Sequence, residues 1–312
     1  MGLIKSVAEL DFPTKIKILI YGEPGLGKTS AALSMPSPLL FDCDEGIHRV
    51  NASFIKATVQ PKTYQEILNV LDNEDLSSFR TIVIDGAKKL LDLMEMDIVS
   101  SPRAKVDKLV QGNGTLSLRG FGERLRMFEA LNKKIAYQNK HVVYVAHQTT
   151  TGDSDNLRHV PEFGGSSYAQ LATAMDLIGH MEADGNKRIL SFSPSSSWDG
   201  KNTLELPDTL VIPELTDKDG NVIGENNFME RIVLSAYQNR LDSQKDAAKA
   251  YGKLLAELTS RIDKIKTAKQ ANDFIEFIGT VEHIGSSKAI SSRKLYDKAK
   301  ELGLTFKDGK YE

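Results

Sequence analysis

The segment Gly22-Glu23-Pro24-Gly25-Leu26-Gly27-Lys28-Thr29 constrains this chain more than any other. It follows an apolar run over residues 16–21 (IKILIY), which reads as a buried parallel strand. After it, the spacing predicts a helix from about Lys28 that must stop before Pro36. The segment satisfies G-x-x-x-x-G-K-[ST] at every fixed position, in the strand–turn–helix setting that this pattern requires. Glycines let the backbone bend so that successive amide groups converge on phosphate oxygens, and the helix N-terminus adds partial positive charge. Lys28 then reaches the β- and γ-phosphates, and the Thr29 hydroxyl ligates Mg²⁺. The expected nucleotide-binding residues are Gly22, Glu23, Pro24, Gly25, Leu26, Gly27, Lys28, Thr29 and Ser30, with ATP and Mg²⁺ as ligands.

Further apolar runs frame this turn. Residues 39–41 lead into three acids, Asp42, Asp44 and Glu45. Residues 54–59 are expected as a third strand and residues 63–71 as a helix. Residues 81–85 (TIVID) put Asp85 at the carboxyl end of a buried strand, where ligands bind in parallel sheets. Asp85 is the expected acid of the Mg²⁺ shell, and capping the helix over residues 87–99 is compatible with that role. Residues 141–146 (HVVYVA) form another buried strand, ending in His147-Gln148. That polar pair can hydrogen-bond a terminal phosphate or the attacking water. Hydrolysis also needs a carboxylate beside the water, and one of the acids after residue 41 can supply it.

Residues 100–122 break the rhythm. They hold Gly112, Gly114, Gly120 and Gly122 with Arg103, Lys105, Lys108 and Arg119, and read as a mobile, positively charged excursion. A helix is expected over 123–139, a long loop over 149–165 and a helix over 166–174. Residues 176–182 and 187–193 flank Ala183-Asp184-Gly185-Asn186, the pattern of an antiparallel hairpin. Short strands are expected between 204 and 223, then helices at 246–263, 268–277 and 291–302. The alternation gives an α/β fold, a mostly parallel sheet covered by helices with an edge hairpin. The expected domains are residues 1–226, led by an arm over 1–15, and a helical, mildly basic region over 227–312.

Composition narrows the class. The chain has 312 residues, 40% hydrophobic and 26% charged, enough for one large domain or two modest ones. No run approaches the roughly 20 apolar residues of a membrane span. The first eleven residues are too short and mixed for a signal peptide, so no membrane partner and a cytoplasmic location are expected. The single cysteine, Cys43, excludes an internal disulfide framework, and the six histidines show no metal-ligand spacing. The net charge of −2 divides into +5 over residues 231–312 and −7 before them. A basic tail permits nucleic-acid contact without requiring it.

With the phosphate-binding turn, the acids after residue 41, Asp85 and the strand ending in Gln148 in that order, the chain resembles the RecA-like P-loop ATPase core over about residues 14–205. It is most similar to phage-encoded RecA-like proteins of single-strand annealing and recombination. That resemblance implies Mg-ATP hydrolysis with Lys28, Asp44, Glu45, Asp85, Gln148 and Lys201 as the catalytic set. The family's catalytic glutamate falls on Asp44, written D-x-D where the family has D-x-E. The shorter reach makes Glu45 a rival and implies slow hydrolysis. The family's switch glutamine falls on Gln148, and the two irregular segments fall near its DNA-binding loops. Lys201-Asn202-Thr203 resembles a K-N-[KR] segment whose basic ends reach the neighbour's nucleotide across a subunit boundary. Here the second basic residue is missing, so only Lys201 is a candidate trans-acting cation, and the alternative reading is a loop lysine beside Asp199-Gly200.

The same resemblance implies single-stranded DNA as partner, self-association into a ring or filament, and the host cytoplasm if the chain is phage-encoded. Arg103, Lys105, Lys108, Arg119, Arg124 and Arg126 could follow a phosphate backbone while Phe121 stacks on a base. The competing arrangement is a solvated charged loop with Phe121 packed inward. Trp198 and Tyr168 are further stacking candidates, although lone aromatics usually belong to packing. Two other functions stay open: an AAA+-type remodeller or helicase loader, and an ATP-dependent switch acting on a protein partner. Strands after Gln148 favour the RecA-like core, because an AAA+ module would pass there into a helical lid.

Overall fold

Strands that are apolar along both faces must be covered on both sides, and here they are. A computed structural model of the protein describes Lys5, residues 9–153 and residues 156–312. Of the arm expected over 1–15, residues 1–4 and 6–8 lie outside the described residues. The chain forms two compact units, Thr14–Gln238 and Asn239–Glu312, the latter with the described residues before Thr14.

The unit Thr14–Gln238 runs β1 (Lys17–Gly22), α1 (Lys28–Ala32), β2 (Pro38–Asp42), β3 (Thr58–Val59), α2 (Tyr64–Asn73), β4 (Thr81–Asp85), α3 (Ala87–Ser100) and α4 (Leu118–Tyr137). It continues with β5 (His141–Thr151), β6 (Arg158–Pro161), α5 (Gly165–Ala174), β7 (Leu177–Asp184), β8 (Lys187–Ser191), β9 (Lys201–Asn202) and β10 (Leu210–Ile212). The sheet order is β10-β8-β7-β1-β5-β4-β2-β3. From β7 to β3 neighbouring strands are parallel, while β8 and β10 add an antiparallel edge. Alternate residues of the parallel strands, among them Leu19, Tyr21, Phe41, Ile84 and Tyr144, pack against Ile67 of α2, Leu90 and Met94 of α3, Phe128 and Leu131 of α4 and Leu171 of α5. α1 packs against β1 and β5. This is the mostly parallel, helix-covered sheet with an edge hairpin that the sequence predicts.

Four stretches differ from expectation. The third strand shrinks to Thr58–Val59, because the Asn51 side chain accepts from the Ser53 amide and starts a 3-10 turn over Ala52–Phe54. α4 begins at Leu118, inside the expected glycine-rich excursion, with Ser117 as its cap. Gly120 is there for packing: a methyl group on it would meet the Leu109 carbonyl oxygen at 2.1 Å. β5 runs on to Thr151 and pairs with β6 where a long loop was expected; Ser154 and Asp155 of that stretch lie outside the described residues. Three consecutive threonines favour extended backbone but supply no hydrophobic alternation to read. Finally, a helix was expected only from residue 246, whereas α6 (Ser235–Asp263) starts at Ser235, after a π-helical turn over Met229–Leu234.

In the other unit, α6 is followed by α7 (Ala268–Thr280), α8 (Ser287–Glu301), β11 (Phe306–Lys307) and β12 (Lys310–Tyr311). Leu258, Ile262, Phe274, Ile278, Leu295 and Tyr311 form its core. The Asn272 amide both donates to and accepts from the Tyr311 backbone, pinning the short hairpin to α7.

His141, at the start of β5, is buried, and its Nδ1 accepts from the Ile16 amide at 3.2 Å. The ring must therefore be neutral at Nδ1. Burial lowers its pKa from 6.5 to about 4. Between those values the unfolded chain binds the extra proton, so this contribution is complete above pH 6.5 and is lost as pH falls toward 4. Its size is about 3 kcal/mol. Urea midpoints at pH 7 and pH 4.5 should therefore converge in His141→Asn relative to the native chain; an identical acid loss in both would refute this role.

Candidate functional site

β1 lies between β5 and β7, so the turn after Gly22 emerges at the carboxyl ends of parallel strands. Gly22 pairs with Met181, and a methyl group on Gly22 would lie 2.2 Å from the Met181 carbonyl oxygen. Gly27 holds φ 83° at the head of α1, a conformation that favours glycine. α1 itself ends at Ala32. Ser34 Oγ donates to the Ala31 carbonyl at 2.6 Å and accepts the Met229 amide at 2.9 Å, which closes the helix early. Five helical residues sum to a small dipole, so anion binding rests mainly on the loop amides and Lys28.

Lys28 is 6% exposed, and its Nζ donates to the carbonyls of Gly22 at 2.9 Å and Glu23 at 2.7 Å. Burial pulls its ammonium below the ordinary range, while Asp85, Asp44 and Glu23 oppose that. Thr29 Oγ1 donates to Asp85 Oδ2 at 2.5 Å. Asp85 is 7% exposed. Burial pushes its carboxyl up, the Thr29 hydroxyl works against this, and Asp42 and Asp44 push further up. A hydroxyl touching a buried carboxylate, with other acids close by, is an oxygen donor set that suits a hard divalent cation. Thr29 and Asp85 thus fit Mg²⁺.

The three acids at and just after the end of β2 have different places. Asp42 is fully buried and accepts from the Gly46 amide (2.8 Å), the Ile47 amide (3.1 Å) and Gln60 Nε2 (3.1 Å); it builds the turn. Asp44 lines the cleft with Lys28, Thr29, Asp85, Arg49 and His147. Its Oδ2 is 3.4 Å from His147 Nε2 and 3.7 Å from Arg49 Nη1. Glu45 adopts φ 53° and directs its carboxylate to the exposed Lys62 at 2.5 Å, away from the cleft. Arg49 went unnoticed in the sequence because a lone arginine on a short 3-10 turn carries no spacing signal.

Gln148 bridges the phosphate loop to a ring stack. Its Nε2 donates to Glu23 Oε1 at 3.2 Å, and its Oε1 accepts from His180 Nε2 at 3.0 Å. Burial lowers the His180 pKa to about 4, so the ring is neutral at physiological pH. It stacks on His159 and Trp198 and tilts against Tyr21. Trp198 is therefore a packing residue, and the Tyr168 hydroxyl donates to Asp199.

Lys201 is not brought to this cleft. Its Nζ donates to the Ala172 and Thr173 carbonyls at 3.2 Å each, where α5 ends and a cation meets the helix's partial negative charge. The basic residues in and just after the excursion also divide. Arg124 is 11% exposed, pairs with Glu95 at 3.1 Å and lies over the Phe121 ring. Arg126 pairs with Glu123 and Arg103 with Asp107. Lys105, Lys108 and Arg119 are exposed. On the same segment Val106, Leu118 and Phe121 are exposed as well, so Phe121 is not packed inward.

Residues 14–204 match the protein family described as the AAA domain. Among solved structures, the chain is similar to the flagellar accessory protein FlaH from Methanocaldococcus jannaschii, at 13% identity and a TM-score of 0.36, covering 70% of this chain and 93% of that one. No curated protein matches the chain.

The cleft makes separable demands on its residues. Lys28→Ala should weaken ATP binding by about tenfold or more, as loss of a buried charge-assisted contact requires. Asp85→Asn should retain nucleotide binding without metal and lose Mg²⁺-dependent turnover. Asp44→Asn should lower turnover by roughly a hundredfold, within the range for removal of a general base, while Glu45→Gln stays near the native rate. Equal effects at Asp44 and Glu45 in a steady-state ATPase assay would contradict the geometry.

Proposed function

We infer, for a chain that belongs to the AAA-domain family of P-loop ATPases, that it binds Mg-ATP along Gly22–Ser30, hydrolyses it slowly, and uses the cycle to engage single-stranded DNA in phage-type recombination, annealing or replication. The observation that carries the ATPase part is the 2.5 Å contact between Thr29 Oγ1 and Asp85 Oδ2 beside Lys28. Mg²⁺ held there would neutralise charge on the terminal phosphates. The protein's own contribution is distributed. Loop amides and Lys28 orient the phosphates, and Asp44 holds the attacking water and accepts its proton. His147, 3.4 Å from Asp44, fixes that carboxylate's direction. An aspartate reaches less far than a glutamate, which is consistent with slow turnover.

Two features support DNA as the effector. The excursion presents exposed Lys105, Lys108 and Arg119 beside exposed Phe121, Leu118 and Val106, a pairing of phosphate-seeking and base-stacking groups. Gln148 touches the phosphate loop through Glu23 and stands at the base of the exposed β5–β6 hairpin, so nucleotide state can reach that hairpin. Head-to-tail assembly into a ring or filament belongs to the same proposal. Lys201 would then exchange the α5 carbonyls for a neighbour's nucleotide.

ATPase rate measured with single-stranded DNA, double-stranded DNA and no DNA tests this directly. Stimulation by the single strand, weakening steeply as salt rises, is the expected result. A flat response with intact basal turnover would leave an ATPase whose effector is a protein.

A further inference from the structure

We propose that Arg188 is a nucleotide-binding residue, acting within its own chain on the nucleoside-side end of the phosphate chain, the α-phosphate. The proposal rests on the ATP-binding role of the turn over residues 22–29 and adds to it a cation that the phosphate-loop pattern does not contain.

The placement follows from strand register. β7 lies beside β1 on the side away from β5 and β4, and Gly22 pairs with Met181. Ala183, two residues further along β7, is therefore level with the turn that follows Gly22. Arg188 of β8 pairs with Ala183. Its side chain reaches the turn: a methyl group on Gly27 would lie 2.7 Å from Arg188 Nη1. Glycine at that position thus serves a left-handed bend and leaves room for a guanidinium at once. Among the described residues, the Arg188 guanidinium makes no hydrogen bond or ion pair, although the residue is half-buried. A half-buried guanidinium with no protein acceptor, standing beside an anion-binding turn, is placed to take an anion.

The direction of the ligand fixes which phosphate it meets. Thr29, Asp85, Asp44 and His147 gather on the β4–β5 side of the turn, so the metal and the terminal phosphate lie there. A triphosphate is a linear chain. With its γ end on that side, its nucleoside end leaves the turn on the opposite side, toward β7 and β8, where Arg188 stands. The planar guanidinium can take two phosphate oxygens at once, which a lysine cannot do.

Calorimetric binding of Mg-ATP and Mg-ADP to the full chain, native and Arg188→Ala, tests the assignment. Both nucleotides should weaken by the same factor, about tenfold or more, because both carry the α-phosphate. The thermal midpoint of the nucleotide-free protein should not move. Arg188→Lys should lose about threefold for both, and it carries the test if the alanine variant fails to fold. Native affinity for ADP in whichever variant folds would overturn the proposal, as would a loss confined to ATP, which would put the arginine at the γ end. Absence of nucleotide binding by the native chain would instead remove the ATP-binding role itself, and the proposal with it.

Discussion

Everything functional in this chain depends on one adjacency: β5 lies between β1 and β4, so the turn after β1 and the acid ending β4 face each other across a single strand. Residue registers carry this through. Gly22 is level with His147 on β5, and Asp85 is level with Val145. Thr29, one residue into α1, then has Asp85 as its hydrogen-bond acceptor, and Lys28 meets a buried negative field. Neither the carboxylate nor the ammonium would be tolerated at such burial alone, since an isolated buried charge costs several kcal/mol or more. They stabilise each other, and the surplus of acid around Lys28 leaves room for one more cation.

That surplus shapes how the site can work. Asp42 and Asp44 raise the demand of Asp85 for positive charge, while Asp42 spends its oxygens on two amides and Gln60. Asp44 remains as the acid free to face a ligand, flanked by His147 and Arg49. The turn after β2 is held from within by Asp42, so Asp44 is presented by a rigid support. Rigidity of this kind keeps a short side chain useful, because a shorter reach demands closer placement.

Much of this was legible in the sequence, and the residues show why. Buried parallel strands are continuous apolar runs, so β1, β2 and β4 were read within a residue or two, as was Asp85 at its strand end. The phosphate-loop pattern is local, and local patterns survive translation into structure. What escaped depended on contacts distant in sequence. The β5–β6 hairpin is polar on exposed faces, so no alternation marks it. The glycines at 120 and 122 looked like a flexible loop, yet Gly120 admits the Leu109 carbonyl inside a helix. That Asp44 lines the cleft while Glu45 turns to Lys62 depends on a backbone angle, φ 53° at Glu45, that no residue pattern announces.

Gln148 shows how the two levels join. Chemistry alone places a polar residue at the end of a buried strand near the phosphate; only the fold gives it two partners, Glu23 on the loop and neutral His180 in a ring stack. His180 Nδ1 is buried without a partner, so that ring is held by stacking and by Gln148 rather than by a second hydrogen bond. A displacement of Gln148 toward a bound phosphate would release the His180 N–H, and an unpaired buried donor costs about 1–3 kcal/mol. The ring stack rests against Trp198 and His159, and His159 belongs to β6. One amide side chain thus joins the phosphate loop, through Glu23, to a ring stack that includes His159 of the hairpin.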